Sequence, residues 1–360
     1  MKAIPLLPIW TIAAPVIGWL LLAGSRLNLG NGYSVLLAMG LLAGVLAAVH
    51  HAEVVAHRVG EPYGTLVLAT AVTAIEVALI VTLMLAGGEA TSALARDAVF
   101  ATVMIILNGI VGLCLLVGGI RFGEQEFTLK GVSASLSTLA AIVVLTLVLP
   151  NYTTTAAGPF YSPAQLTFVA VVSLLLYLTF VFVQTIRHRD YFLPAKRTGG
   201  EEEQAPPLSN KVAYVSSVLL LACLGAVVLI AKTISPAIEA LVASMGAPNA
   251  LVGVIIAAIV LLPEGVAALR AAHSNRLQAS LNLSLGSALA CIGLSVPAVA
   301  IVSLLTGMTL TLGIDLKATV LLALSLVVAT LSLGTGRTTV LQGAVHLVIF
   351  AVYLFLTILP

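Results

Sequence analysis

Two glutamates lie inside long apolar segments, and their chemistry sets the first question about this chain. Glu76 is the one charged residue in "LVLATAVTAIEVALIVTLMLA", and Glu264 lies in "GVIIAAIVLLPEGVAAL". A carboxylate in hydrocarbon is costly unless it is protonated, paired or bound to a cation. Both side chains are therefore candidate metal-ion ligands and candidate proton carriers.

Such a carboxylate can be neutral in two ways, because it can bind a proton or be ionised beside a bound cation. If both neutral forms cross a membrane and the empty charged form does not, cation and proton must exchange. The two glutamates therefore predict a secondary active transporter that exchanges cations for protons by alternating access. This activity needs no covalent chemistry and no cofactor, so the chain is not expected to be an enzyme.

Other polar residues in apolar segments are candidate ligands or sensors. Asn108, Ser284 and Ser287 can offer oxygen atoms to an ion, or they can serve interhelical packing and hydrogen bonding. His50, His51 and Glu53 can gate transport or sense pH, or they can form the polar end of a helix. For His346 we favour a buried histidine whose hydrogen bonds are satisfied over an ion ligand.

The composition identifies the medium that surrounds these residues. The 360 residues are 60% hydrophobic and 8% charged, whereas soluble domains carry roughly 25% charged residues. The solvent is therefore a lipid bilayer. A net charge of +2 is too small to indicate a nucleic-acid partner,. The three cysteines fall in apolar segments and give neither a disulfide framework nor a metal-ligand spacing.

Apolar windows of about 20 residues, the length that crosses a bilayer, occur eleven times. We therefore predict an all-α polytopic membrane protein with eleven spans. They lie near 5–24, 34–56, 64–86, 98–118, 132–149, 164–186, 212–232, 248–270, 280–305, 315–333 and 339–358.

The loops between these spans predict the orientation. With a cytoplasmic N-terminus, twelve Lys and Arg residues fall inside, and four, Arg26, Arg96, Lys232 and Lys317, fall outside. Positive residues concentrate on the cytoplasmic side, so we expect the N-terminus inside and the C-terminus outside the membrane. The long polar loop 187–211 carries Glu201–Glu203, which can sense a cation, although a solvated acidic linker is the favoured interpretation.

The surroundings of the two glutamates are alike. Each is preceded by a similar glycine and proline pattern: Gly60, Pro62 and Gly64 before Glu76, and Gly246, Pro248 and Gly253 before Glu264. The glutamates lie in spans three and eight, and an odd offset reverses the direction of crossing. This arrangement predicts an inverted repeat with the ion site near the midplane between the halves. Pro263 is expected to break its helix and free carbonyls beside Glu264.

Four segments resemble the ChaA-type cation/proton antiporters of the calcium/cation exchanger superfamily. They read "HAEVVAHRVGEPYGTLVLATAVTAIEVALI", "LLPEGVAALRAA", "LGSALACIGLSVPA" and "TGRTTVLQGAVHLVIFAVY". The resemblance implies one helix (1–30) outside two inverted five-helix repeats (31–186 and 212–360), with an acidic linker (187–211). It also implies one essential glutamate in each repeat, and these glutamates map onto Glu76 and Glu264.

The chain departs from this pattern next to both glutamates. The wider calcium/proton exchangers carry G-N-A-x-E, whereas Thr73 and Leu261 occupy the asparagine positions here. Thr73 stays a candidate ligand, but two amide oxygens are missing, and calcium prefers six to eight oxygens. Na+, K+ and Ca2+ all remain candidate substrates beside H+.

A cation channel is the main alternative to an exchanger. The sequence contains no "TVGYG" filter,, and neither H-E-x-x-H nor G-x-S-x-G occurs to support an intramembrane enzyme,. The sequence favours the antiporter, then the channel, then the enzyme. It leaves open the physiological cation, the stoichiometry, the resting conformation and assembly into a homo-oligomer.

Overall fold

A computed structural model describes residues 7–27, 31–60, 63–156, 158–192, 209–244, 246, 248 and 250–359. Within these residues, eleven helical segments are long and apolar enough to cross a membrane. The predicted all-α fold with eleven spans is confirmed. The only strands in the described residues are β1 (Gln125–Glu126) and β2 (Arg337–Thr338), which pair antiparallel.

Twelve α-helices make up the eleven spans, because α4 and α5 belong to one continuous span, Leu94–Phe122. The helices are α1 (Ile9–Gly24), α2 (Asn31–Val59), α3 (Tyr63–Gly87), α4 (Leu94–Met104), α5 (Val111–Phe122), α6 (Leu129–Val143), α7 (Pro163–Phe182), α8 (Asn210–Ser244), α9 (Ala250–His273), α10 (Leu277–Thr306), α11 (Leu316–Leu333) and α12 (Val340–Ile358).

The seventh span is longer than the apolar window predicts. We expected it to end near residue 232 and placed Lys232 in an outside loop, but α8 continues to Ser244. A helix of 35 residues is about 52 Å long,, which exceeds the roughly 30 Å hydrocarbon layer. The prediction was wrong because helical hydrogen bonding does not stop where the apolar run stops.

In the part of the chain that the structure describes, three spans contain π-helical segments, in which the hydrogen bonds run from residue i to i+5. They are Ile105–Ile110 between α4 and α5, Val144–Val148 after α6, and Val183–Arg187 after α7. Such segments are rare and occur often at functional sites. The first one contains Asn108.

Contacts divide the helices into two units. The first unit comprises Met1–Ala86 and Thr198–Met245, and the second comprises Gly87–Arg197 and Gly246–Pro360. In the first unit α2 packs along α8, and α1 packs against both. In the second unit α10 is the central helix, since α4, α5, α6, α7 and α9 all pack on it. Each unit thus contains helices from both predicted halves of the sequence.

The two predicted helix-opening patterns share a backbone feature. Gly60 follows α2 with φ +78°, and Gly246 follows α8 with φ +69°. Left-handed backbone of this kind commonly ends a helix and favours glycine, which has no Cβ to clash. Similar sequence patterns therefore produce similar helix ends before α3 and α9. Pro62 lies outside the described residues.

Helices α5 and α12 approach each other closely, and this contact depends on glycine. A Cβ added at Gly343 would overlap the backbone nitrogen of Leu116, and one added at Gly112 would lie 2.8 Å from Cβ of His346. Small residues let membrane helices approach closely enough for backbone packing. The glycines therefore fix the register of α12 against α5.

This packing predicts that Gly343→Ala destabilises the protein. The new methyl group has to push apart two backbones, and overpacking of this kind costs about 1–3 kcal/mol. We expect the unfolding temperature of the detergent-solubilised chain to fall by several degrees. Gly32→Ala is the matched control, because no described atom lies within 4 Å of a Cβ added there. Equal unfolding temperatures for the two variants would contradict the close contact.

Candidate functional site

Glu264 is buried in the second unit, with 5% of its surface exposed. It lies in α9, which continues through Pro263 to His273, so the predicted helix break at Pro263 is wrong. Proline still lacks an N–H, and the carbonyl of Ile259 therefore receives no hydrogen bond from position 263. The helix remains intact while one backbone oxygen, a turn before Glu264, is left free of its usual i+4 donor.

Ser287 is a polar partner that the second unit brings to Glu264. Its hydroxyl, on α10, donates a hydrogen bond to Oε2 of the glutamate. Since α10 is the central helix of this unit, the helices packed around it hold the hydroxyl of Ser287 in place. A hydroxyl and a carboxylate that face each other offer hard oxygen ligands to a metal ion and can accept a proton when the metal leaves.

Ser284 lies one turn earlier on α10 but does not have the same role in this structure. Its hydroxyl donates to the carbonyl oxygen of Ser280 at 2.9 Å, within its own helix. Hydroxyls commonly bond to the preceding turn in this way inside membrane helices. The two serines were predicted together as ligands; Ser287 donates to the glutamate, whereas Ser284 donates within its own helix.

Asn108 lies in the π-helical segment and is fully buried. Its Nδ2 donates to Oγ of Ser325 at 2.8 Å, and its Oδ1 lies 3.1 Å from Nδ1 of His346. The interhelical hydrogen bonding that the sequence left open for this residue is therefore present. Its service as an ion ligand stays a prediction.

Glu76 is buried in α3, with 3% of its surface exposed, and it belongs to the first unit. Thr73, three residues earlier on α3, is equally buried. Residues three apart share a helix face, so this hydroxyl and the carboxylate lie on one side of α3. The prediction that Glu76 meets Glu264 at a shared pocket stays a prediction.

The histidine pair at positions 50 and 51 ties α1 to α2 in the first unit. Pro15 lies inside α1 and cannot donate to the carbonyl of Thr11,. Nε2 of His51 lies 3.1 Å from that oxygen, and the ring of His50 packs against Trp10. The proline thus creates the acceptor that His51 uses. Glu53 is exposed, and gating or pH sensing by this cluster stays a prediction.

A cavity of about 270 Å³ lies elsewhere in the second unit, at the N-terminal ends of α4, α9 and α11. Its carboxylates already have partners. Asp97 accepts a hydrogen bond from Arg96 at 2.8 Å, and Asp315 accepts one from the amide of Ala318 at 2.7 Å. Glu264 does not line this cavity. Within the described residues, no three His, Cys, Asp or Glu side chains form a metal-binding group.

The sequence did not predict the role of two residues in the polar cluster around Asn108. Ser325 was not singled out, and His346 was interpreted as a satisfied buried histidine. In the structure Nδ1 of His346 has a partner, while its buried Nε2 has none among the described residues. The sequence feature that could have indicated this cluster is the presence of a polar side chain in each of spans four, ten and eleven. Their pairing depends on helix packing, which the sequence does not show.

The predicted acidic linker residues Glu201–Glu203 lie outside the described residues, which stop at 192 and resume at 209. Whether the segment senses cations or only connects the halves stays a prediction.

Comparison with known proteins identifies the family. The family model described as "Sodium/calcium exchanger protein" matches residues 30–186 and 215–359, and the chain belongs to this family of membrane transporters. Each matched segment covers all or most of the residues of five of the eleven candidate spans. The predicted resemblance to the calcium/cation exchanger superfamily is confirmed.

The individual relatives extend over almost the whole chain. The y4hA protein of Sinorhizobium fredii is 46% identical over 98% of this chain and 97% of its own length. The sodium-potassium/proton antiporter ChaA of Escherichia coli is 36% identical over 96% of this chain and 94% of its own length. The solved structure of native YfkE superposes with a TM-score of 0.73 at 18% identity, covering 98% of this chain and 99% of that one, which shows a shared fold.

The different contacts of Ser287 and Ser284 predict different effects of removing each hydroxyl. Ser287→Ala takes away a hydrogen bond to a carboxylate and one ligand oxygen, and hydrogen bonds to charged groups contribute about 1.5–3 kcal/mol. We expect the half-saturating cation concentration for exchange to rise roughly tenfold or more. Ser284→Ala, which removes a bond within one helix, should stay within about twofold of wild type. Cation uptake into vesicles measures both, and equal effects would contradict the assignment.

Proposed function

We propose that this chain exchanges a metal cation for protons across the bacterial plasma membrane by alternating access. The observation that carries the proposal is the carboxylate of Glu264, which is buried inside a membrane-spanning helix and receives a hydrogen bond from Ser287 on the central helix of its unit. Glu76, equally buried in α3, is its counterpart in the other half of the sequence.

The exchange follows from the cost of an uncompensated charge in hydrocarbon. An empty, ionised Glu264 is expensive to move through the membrane, whereas a protonated or cation-bound Glu264 is nearly neutral. Movement between inward-open and outward-open states therefore takes place with one of the two cargoes bound. Cation transport in one direction is thereby coupled to proton transport in the other.

The relatives support this cargo. The E. coli relative is named a sodium-potassium/proton antiporter, and the family is described by sodium and calcium exchange. The replacement of two asparagines by Thr73 and Leu261 reduces the number of oxygen ligands beside the glutamates. We therefore infer that the site accepts Na+ and K+ and binds Ca2+ with fewer side-chain oxygens than G-N-A-x-E exchangers provide.

The two matched segments support the proposed organisation into halves. We infer a first helix within residues 1–30, five-helix repeats at 31–186 and 212–360, and a linker at 187–211 that joins them. Five spans in each half reverse the second half relative to the first, which is the arrangement of an inverted repeat. From the distribution of positive residues we infer a cytoplasmic N-terminus and a C-terminus outside.

Reconstitution tests the function directly. Proteoliposomes that hold a trapped pH dye receive Na+, K+ or Ca2+ outside, one at a time, with the membrane potential clamped. We expect the lumen to become alkaline on addition of each transported cation, because protons leave as cations enter. Cation flux that follows the membrane potential with no proton movement would indicate a channel and overturn the proposal.

The two glutamates give the matching variant experiment. Glu264→Gln and Glu76→Gln keep size and polarity but cannot switch between a proton and a metal ion, so each should reduce cation-driven proton movement to the background of empty liposomes. Glu126→Gln is the control, since Glu126 forms an exposed ion pair with Arg337, and it should behave as wild type. Substantial exchange in either site variant would remove that glutamate from the mechanism.

A further inference from the structure

A three-residue polar cluster lies inside the second unit. Asn108, Ser325 and His346 come from three different spans, and each is fully buried, with 0% of its surface exposed. The amide of Asn108 stands between the other two, 2.8 Å from Oγ of Ser325 and 3.1 Å from Nδ1 of His346. We call these residues the asparagine cluster.

The hydrogen bonds determine where the histidine proton lies. The Ser325 hydroxyl donates to the carbonyl of Leu321 at 2.7 Å, so its oxygen accepts from Nδ2 of Asn108. The amide oxygen then faces His346, and Nδ1 of the ring has to carry the proton and donate it. Nε2 is left as an acceptor, and it has no hydrogen-bond partner among the described residues.

A histidine in this arrangement costs folding free energy, which a side chain that only filled space would not. A leucine would fit an apolar helix interface without bringing a buried acceptor that has no donor, and unpaired buried acceptors destabilise a fold. The bond from Nδ1 to Asn108 is the one described contact that compensates this cost. His346 is therefore best explained by what it does to Asn108.

The asparagine lies in a π-helical part of the backbone that touches the site helix. Asn108 belongs to the π-helical segment Ile105–Ile110, and the same segment packs on α9. Ile110 closes the segment, and a Cβ added at Gly265 would lie 3.2 Å from its Cδ1. Gly265 directly follows Glu264, so the π-helical segment supports α9 at the residue next to the carboxylate.

We propose that His346 is a positioning residue for Glu264, an inference that rests on the proposed function of that carboxylate. The Nδ1–H of His346 holds the Asn108 amide and with it the π-helical segment. Ile110 of that segment then supports Gly265, which keeps Glu264 within reach of the Ser287 hydroxyl. The last membrane helix thus sets the geometry of the ion site without contacting the ion.

The close packing of α12 against α5 fixes the position of His346 relative to Asn108. A Cβ added at Gly112 would lie 2.8 Å from Cβ of His346, so the backbone of α12 sits directly against α5 at this point. The ring is therefore attached to a backbone of fixed position, and the π-helical segment ends two residues before Gly112 on the same span. A change in the ring is transmitted to Asn108 rather than absorbed by movement of α12.

Two substitutions separate hydrogen bonding from packing. His346→Asn places an amide N–H where Nδ1–H lies and keeps the donor, whereas His346→Leu keeps an apolar side chain and loses it. In reconstituted full-length protein we expect His346→Leu to raise the half-saturating Na+ concentration roughly tenfold, with the maximal rate per folded transporter nearly unchanged. His346→Asn should remain within about threefold of wild type.

The double variant tests whether the histidine acts through the asparagine. Asn108→Ala removes the acceptor, so His346→Leu added to it should change the half-saturating concentration little further. Additive effects would overturn the proposal. It would also be overturned if His346→Leu lowered only the maximal rate, or if His346→Asn behaved like His346→Leu.

Hydrogen–deuterium exchange of the detergent-solubilised chain gives a readout that does not depend on transport. We expect faster amide exchange in residues 105–110 and in the turn around Gly265 for His346→Leu, and wild-type exchange for His346→Asn. Unchanged exchange in these segments would contradict the structural link. If the link is present but wild-type vesicles show no cation–proton coupling, the proposed function fails and the positioning role of His346 does not.

Discussion

A carboxylate inside the hydrocarbon layer has to be compensated, and the second unit is built around this requirement at Glu264. The glutamate lies on α9, and its hydrogen-bond donor, Ser287, lies on α10, the helix on which most of the unit packs. A donor on a central helix loses little further freedom when it binds the carboxylate, because packing already holds it. The same hydroxyl is available as a ligand when a cation replaces the proton.

Local departures from ideal helix geometry supply polar groups to the interior of both units. Pro15 frees the carbonyl of Thr11, and His51 bonds to it. Pro263 leaves the carbonyl of Ile259 without its usual donor, although α9 stays continuous. The π-helical turn at Ile105–Ile110 carries Asn108 into a cluster with two other spans. A membrane helix normally satisfies every backbone group internally, so each of these departures marks a place where a side chain or an ion can bind.

The two segments matched by the family model correspond to the two halves of the chain that carry similar glycine and glutamate patterns. The sodium/calcium exchanger model matches two separate segments, each with five spans, and among the described residues each segment has one buried glutamate. Gly60 and Gly246 end the preceding helices with the same left-handed backbone. The contact units nevertheless combine helices from both halves. Sequence halves and packing units are thus different divisions of this protein, and the proposed exchange mechanism requires a glutamate from each half.

The sequence by itself determined the features that depend on a short stretch of chain. The number of spans follows from apolar length and bilayer thickness, and Glu76 and Glu264 are conspicuous because any charge inside such a span is costly. The full length of α8, the intact helix at Pro263 and the π-helical turn were decided by the folded structure. The choice of Ser287 over Ser284 and the bond between Asn108 and His346, 238 residues apart, were also decided there. These contacts depend on how distant helices pack, and helix periodicity alone does not show which neighbouring helix a buried polar side chain will face.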